Sequence, residues 1–290
     1  MLSEITPLVL TFNEAPNIGR TLERLRWATE VVVVDSLSSD ATRSIARGFP
    51  NVRLLERRFD SHTAQWNFGL SEVRTPFVLA LDADYLVTEE LLQEIQALPA
   101  ATPLVAWFAS FRYCLLGRTL RAALYPKRAV LFRREACHYE QDGHTQLLQI
   151  NGPAGELRGF IDHDDRKPLA HWLSAQQKYA ALEVVKLLGT SSSELRWVDR
   201  IRKLIVPAPF LVFFYTLLGK GLILDGWAGW AYVLERTVAE LILSLQLVEA
   251  KLSRTQSSPL PLTQAPAAPM PSATSRPKRA ERDVTTSLKG

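Results

Sequence analysis

The 290-residue sequence contains only two cysteines, Cys114 and Cys137. They lack the spacing of a metal-binding pair and are too few to staple a chain of this length. A disulfide scaffold is excluded and a reducing compartment is expected. No glycine-rich loop bearing a lysine follows the first strand pattern, which weighs against a nucleotidyltransferase. Charge of one sign is never gathered into a block: 34 Lys and Arg against 30 Asp and Glu leave a net +4 and a pI of about 9.1. Scattered basic residues without interleaved aromatics are not a nucleic-acid surface, although the small excess suits an anionic substrate or an anionic membrane face. Long apolar runs are also missing. The longest, "LIVPAPFLVFFYTLLG" (204–219), falls short of the roughly 20 residues of a spanning helix and is interrupted by Pro207 and Pro209. From Met1 the chain goes almost directly into a strand pattern, with no basic n-region or cleavage site, and a cytoplasmic location is expected.

What is present is a core-forming composition, 47% hydrophobic and 22% charged, enough for one large α/β domain or two smaller ones. Residues 5–100 alternate strand and helix signals: strands at 6–12, 30–36, 51–56 and 76–84, helices at 14–28, 38–49, 62–73 and 88–98. Ser39 or Asp40 is the expected cap of the second helix and Thr88 that of the fourth. Strands bridged by such helices predict a mostly parallel, doubly wound sheet with helices on both faces, and such sheets bind ligands beyond the carboxyl ends of their strands. The residues found there are Asn13 and Glu14, then Asp35 and Ser36, then Asp82 and Asp84. All should converge on one rim. Residues 101–170 are mixed, with strands at 103–117 and 128–134 and two polar runs, "HYEQDGHTQL" (138–147) and "IDHDDRKPLAHW" (161–172).

The Asp82-Ala83-Asp84 step, inside "LALDADYLV" (79–87), places two carboxylates where a buried strand ends. Unpaired burial of such groups is costly. Asp84 could cap the next helix, although Thr88 is better placed. Alternatively, the pair could hold a hard divalent cation that also takes diphosphate oxygens and neutralises a leaving group. Together with Asn-Glu and Asp-Ser at the ends of two earlier strands, the set resembles the family 2 glycosyltransferases of the GT-A fold. "LTFNEAPNI" is similar to their first strand and turn, "VVVVDSLSSDAT" to their nucleotide-binding strand and "LALDAD" to their metal motif, and the resemblance covers residues 5–170. Within that family the chain is most similar to bacterial enzymes that build lipopolysaccharide core or related envelope glycans, which also carry a segment like "RFDSHTAQWNFGL" and an apolar C-terminal helical region.

The resemblance implies a nucleotide-sugar donor, usually a UDP-sugar, and Mn2+ or Mg2+. It implies that Asn13 and Glu14 line the nucleotide pocket and that Asp35 hydrogen-bonds the base. Asp82 would face the ribose or the sugar, Asp84 would contact the metal, and Gln65 and Asn67 would approach the diphosphate. Where the family often has Arg, this chain has Trp66, so Arg57 or Arg58 would have to substitute. Inverting transfer needs a carboxylate base. The matching stretch "DGHTQ" keeps His144 but has Thr145 in place of Glu, leaving Asp142 as the nearest carboxylate, with Glu140 behind it. Asp40 either contacts nucleotide or caps a helix. The "IDHDDRKP" run is either a solvated loop or a functional one in which His163 completes the metal shell.

Three regions are expected: a catalytic domain at 1–172, a helical region at 173–252 and a disordered tail at 253–290 that is rich in Ser, Thr, Pro and Ala. Residues 204–219 and the amphipathic stretch 227–252, preceded by Arg196, Arg200, Arg202 and Lys203, form either a hairpin packed on the catalytic domain or an in-plane membrane anchor over a lipid-linked acceptor. A full span stays open. The rival reading from another class is a catalytically inert membrane scaffold of the same fold.

Overall fold

The computed structural model describes residues 1–99, 101–142 and 145–256. Its first part alternates β1 (Ile5–Thr11), α1 (Ile18–Glu23), β2 (Val31–Asp35), α2 (Thr42–Arg47), β3 (Val52–Glu56), α3 (His62–Glu72) and β4 (Phe77–Asp82). The β-branched run of β2 is stiff at χ1 and suits a pleated strand buried on both faces. β1 pairs in parallel with both β2 and β4, and β2 in parallel with β3. The chain therefore winds outward through β2 and β3 and returns to the other flank of β1 as β4. That reversal is a topological switch point, and the crevice beyond the carboxyl ends of β1 and β4 is where such a sheet receives a ligand.

The remainder is mixed: β5 (Tyr85–Val87), α4 (Glu89–Ala97), β6 (Ala106–Leu115), β7 (Arg118–Thr119), β8 (Arg128–Arg133), β9 (Cys137–Asp142), β10 (Thr145–Ile150) and β11 (Ala154–His163). The main sheet runs β3-β2-β1-β4-β8-β6-β11-β5, while β9 and β10 form a separate hairpin. β8 is antiparallel to its neighbours, β11 is parallel to β6, and β5 is antiparallel to β11. The α/β, mostly parallel expectation holds. The polar run from Ile161 to His163 is the end of a strand and not a loop.

Alternation along the strands sorts the core into two layers. Val9, Val31, Val33, Leu79 and Leu81 meet Ile18 and Leu22 of α1 and Leu91 and Ile95 of α4. Leu8, Val32, Val34, Val78 and Ala80 meet Trp66 and Leu70 of α3 and Tyr139 of β9. Each fully buried aliphatic side chain contributes about 1.5–3 kcal/mol. α3 lies close on β1 because position 69 is glycine. A Cβ there would stand 2.6 Å from Leu8 Cδ1.

After β11 come α5 (Leu169–Gly189), α6 (Trp197–Lys203), α7 (Pro207–Phe214) and α8 (Gly226–Gln256). The two prolines do not interrupt α7. Pro207 starts it, at a position where the missing N–H has no helical partner to lose. α7, with the turn that follows it, and α8 are bent by 68°, and no single helix among the described residues is long and apolar enough to cross a membrane. Leu217, Leu222, Tyr232 and Val233 pack with Leu120, Tyr113 and Leu115 of the β6–β7 region. Met1–Lys251 form one compact unit, so the division expected at residue 172 falls inside it. Residues 257–290 of the expected tail lie outside the described residues.

Candidate active site

At the β1–β2 end of the rim the polar groups are spent on one another. Asn13 takes φ 54°, a left-handed conformation that asparagine tolerates. Its N–H donates to Ser38 Oγ at 2.8 Å and its Oδ1 accepts from Ser39 N–H at 2.8 Å. The N–H of Glu14 donates to Thr42 Oγ1 at 2.7 Å and that of Ala15 to Asp40 Oδ2 at 3.1 Å. Burial pushes the Asp40 carboxyl up, but donors on Thr42 and Ala15 outweigh it and hold the group below its ordinary value. Asp40 thus clasps the β1 turn to the start of α2, whose cap residue is Ala41. Asp35 is fully buried. It accepts from Thr11 Oγ1 at 2.8 Å, from Ser38 N–H at 2.7 Å and from the Ser38 hydroxyl. In this fold the Asp35 carboxylate is turned inward, onto Thr11 and Ser38, and ties β1 to the loop after β2.

Gln65 and Asn67 are likewise engaged within the fold. Gln65 is buried, accepting from Arg57 Nη1 and donating to Ser36 Oγ at 3.0 Å. The Asn67 amide donates to the Tyr139 carbonyl at 2.8 Å and accepts from the Tyr139 N–H at 2.9 Å. These are the outer backbone groups of the β9–β10 hairpin, which need partners once α3 covers them. Trp66 stacks on the Tyr139 ring at 5.2 Å. Arg57, the expected substitute, is engaged by Gln65 and by Asp60 at 2.6 Å. Trp66 and Asn67 of α3 thus hold the hairpin, while Gln65 reaches Ser36 just past the end of β2.

The β4–β11 end differs. The Asp82 side chain is 42% exposed, with Arg128 Nη1 3.9 Å away. Asp84, in the turn from β4 to β5, accepts the Asp164 N–H on its carbonyl at 3.1 Å, and its carboxylate meets His163 Nε2 at 3.1 Å. Burial pushes the Asp84 carboxyl up, but His163 and then Lys167 outweigh it and hold the group below its ordinary value. Burial likewise disfavours the His163 imidazolium, yet Asp84 raises it overall. The ring sits among Tyr85, Tyr113 and Tyr125, at 5.3, 5.0 and 4.8 Å, and its buried Nδ1 has no hydrogen-bond partner among the described residues.

The polar run after β11 is an ordered clamp and not a solvated loop. Arg112 pairs with both oxygens of Asp162 at 2.7 and 3.0 Å. Asp164 is buried under Arg20 and Arg166. Lys167 Nζ lies 2.6 Å from Glu14 Oε1 and 3.7 Å from Asp165 Oδ2, while Asn17 Nδ2 donates to both Glu14 and Asp165 at 2.8 Å. Burial pushes the Glu14 carboxyl up to about 7 against the pull of Lys167. Lys167, Asn17, Arg20 and the three tyrosines were not anticipated from sequence. Lys167 shares the polar run with His163 and Tyr85 directly follows Asp84, while Tyr113 and Tyr125 left no local signal. His144 lies outside the described residues, as does the side chain of Asp142, whose backbone ends β9 opposite Thr145.

The Asp84 carboxylate is a donor that both Mn2+ and Mg2+ accept, whereas the His163 imidazole as a second donor fits a transition metal such as Mn2+ better than Mg2+. Among the described residues no group of three or more His, Cys, Asp or Glu side chains could hold a metal ion unaided. The fit is therefore to a cation that takes its remaining ligands from water and phosphate oxygens.

The sequence model of one family, Glycosyl transferase family 2, matches residues 8–162. The lipopolysaccharide core biosynthesis glycosyltransferase LpsC of Rhizobium meliloti is 28% identical over 191 residues, 62% of this chain and 70% of that protein. An uncharacterized glycosyltransferase of Rickettsia bellii is 30% identical over 97 residues, a third of each chain (33%). Among solved structures, a mannosyltransferase of Pyrobaculum calidifontis in complex with GDP-Man and Mn2+ covers 88% of both chains at 17% identity and a TM-score of 0.47.

Proposed function

The chain belongs to glycosyl transferase family 2 and is a glycosyltransferase, and from that premise we propose that it transfers a sugar with inversion from a nucleotide-sugar donor, a UDP-sugar in the first instance. The acceptor in this reading is lipid-linked or of the lipopolysaccharide type, and the cofactor Mn2+ or Mg2+. One observation carries the proposal. At the switch point between β1 and β4, the open Asp82, the Asp84–His163 pair and the half-buried Lys167 stand along one stretch of rim.

Asp84 and His163 would hold the cation, which when bound supplies Lewis-acid neutralisation of the departing diphosphate. Lys167 adds fixed positive charge beside that position, held by Glu14 and Asp165. Asp82, at the end of β4, is 42% exposed and, among the described residues, free of close hydrogen bonds, which suits it to orient sugar hydroxyls. Inversion requires one more carboxylate, to take the acceptor's proton.

The acceptor class rests on the likeness to the lipopolysaccharide core biosynthesis glycosyltransferase of Rhizobium meliloti and on the apolar surface of the C-terminal helices. Phe210, Phe214, Leu224 and Trp227 are 64%, 56%, 70% and 86% exposed. Exposed aromatics in such number mark a contact surface. Peripheral attachment to the inner face of the plasma membrane would hold the rim near a lipid-borne acceptor. The test is release of nucleoside diphosphate by purified protein across a panel of nucleotide sugars, with and without Mn2+. Mn2+-dependent release from one donor is expected, and none from any donor would overturn the reading.

A further inference from the structure

β8 brings a guanidinium to the open end of the rim. Arg128 is the first residue of that strand, and its side chain is 45% exposed. The guanidinium lies over the Tyr125 ring, 4.9 Å from its centroid, and Nη1 donates to Tyr85 Oη at 3.4 Å. The two tyrosines hydrogen-bond to each other through their hydroxyls. Each also packs edge-on against His163, Tyr125 at 4.8 Å and Tyr85 at 5.3 Å. Arg128 therefore stands one ring away from the Asp84–His163 pair. Asp82 Oδ2 is 3.9 Å from its Nη1.

The cations around the rim can be sorted by what they already meet. Arg20 and Arg166 are held by Asp164, Arg112 by Asp162, Arg57 by Asp60 and Lys167 by Glu14, each with a carboxylate oxygen in hydrogen-bonding range. Arg128 differs. Its separation from Asp82 is too long for a hydrogen bond, and its contact with Tyr85 is at the long limit. Among the described residues no carboxylate satisfies its fork. The tyrosines that cradle it are not counter-ions either, because burial pushes both hydroxyls above their ordinary value and keeps them neutral. A guanidinium fixed on an aromatic platform with donors to spare is suited to a phosphate.

We propose that Arg128 binds the sugar-bearing phosphate of the nucleotide-sugar donor, a role that rests on the reading of the preceding subsection. It supplies the phosphate cation that Trp66 cannot and that Arg57, engaged by Gln65 and Asp60, does not. In that reading the sugar hydroxyls lie on Asp82 and the metal ion on Asp84 and His163. Arg128 is 3.9 Å from the first and one ring from the second, so the phosphate joined to the sugar is the one within reach of its fork. The planar fork can meet two oxygens of that phosphate at once. Its charge also offsets the repulsion that the Asp82 carboxylate would exert on an incoming diphosphate.

The test is calorimetric titration of UDP and UMP, or of GDP and GMP where the guanine nucleotides are the ones bound, into full-length wild-type, Arg128→Gln and Arg128→Met proteins. EDTA is present, so that no metal ion contributes. Arg128→Gln is expected to weaken the diphosphate by about tenfold or more and the monophosphate by less than about twofold, with thermal unfolding unchanged. Arg128→Met, whose apolar stem still covers the Tyr125 ring, should show the same split. Variants that bind the diphosphate as the wild type does overturn the assignment. So does an equal loss of monophosphate and diphosphate, which would mark general damage to the pocket. A loss seen with UDP-glucose, UDP-GlcNAc or GDP-mannose but not with the diphosphate overturns it too, making Arg128 a reader of the sugar. Wild-type protein that binds none of these nucleotides overturns the donor reading, and Arg128 with it. Wild-type binding matched by both variants overturns Arg128 alone.

Discussion

At the β1–β2 end of the rim, Asp35 is buried and takes hydrogen bonds from Thr11 and Ser38. At the β4–β11 end, Asp82 is 42% exposed, and Asp84 shares a contact with His163, whose Nδ1 has no partner among the described residues. Both ends carry strand-terminal carboxylates that read alike in the sequence. The difference is whether the fold has already satisfied them. Where donors are supplied internally, a carboxylate builds the platform. Where they are not, it is open to a ligand. The exposed face of α7 and α8 extends the same rule to apolar surface.

The contrast is most easily broken by exchanging the two ends. Asp84→Asn is expected to lower transfer by about 100-fold or more, as losses of metal-site groups do, with unfolding close to wild type, since the amide fills the same volume. An active Asp84→Asn enzyme would place the chemistry elsewhere. Asp35→Ala should act the other way, costing about 1–3 kcal/mol of stability because Thr11 and Ser38 keep buried donors without an acceptor. Urea unfolding measures this. An unchanged midpoint together with lost nucleotide binding would return Asp35 to the role of base partner.

A smaller effect is expected from the apolar surface. Replacing Phe210, Phe214 and Trp227 together by Ser should cut the fraction floating with anionic vesicles by about tenfold or more, given about 1.5–3 kcal/mol per buried apolar side chain. Equal flotation would show that this face is not a membrane contact. The smallest expected effect is on the pH dependence of stability. The folded state holds the His163 proton more tightly than the unfolded chain. Its contribution is therefore complete below about pH 6.5, the unfolded value, and is lost as pH rises through the raised folded value. Unfolding free energies measured across that range in EDTA should fall with pH, and His163→Gln should flatten the fall.

Much of this architecture was legible in the sequence. The valine run of β2 and the spacing of Ile18 and Leu22 announce strands bridged by helices, and Thr88 caps α4 as read, accepting the Leu91 N–H at 3.3 Å. Asp84 and His163 were both picked out, from a strand-ending carboxylate and from a dense run of ligand-type side chains, and the antiparallel β5–β11 pairing brings them together. The contacts that Gln65 and Asn67 make were not legible, because an amide looks the same whether it meets a phosphate or a strand backbone. Their face of α3 is decided by the hairpin, which has no strong sequence period of its own. Pro207 read as a break because position within a helix decides whether proline costs a hydrogen bond. Tyr113 and Tyr125 stayed hidden for another reason. They reach the site from β6 and the following loop, which are brought there only by tertiary packing.

The central claim is that the unspent groups at the β4–β11 end, and not the satisfied ones at the β1–β2 end, take the donor through a divalent cation. Calorimetric titration of UDP into wild-type and Asp84→Asn proteins, each with and without Mn2+, tests it most directly. Mn2+ should tighten UDP binding by about tenfold or more in the wild type and leave the variant unchanged, while the two proteins bind UDP alike in its absence. Equal tightening in both would contradict the account.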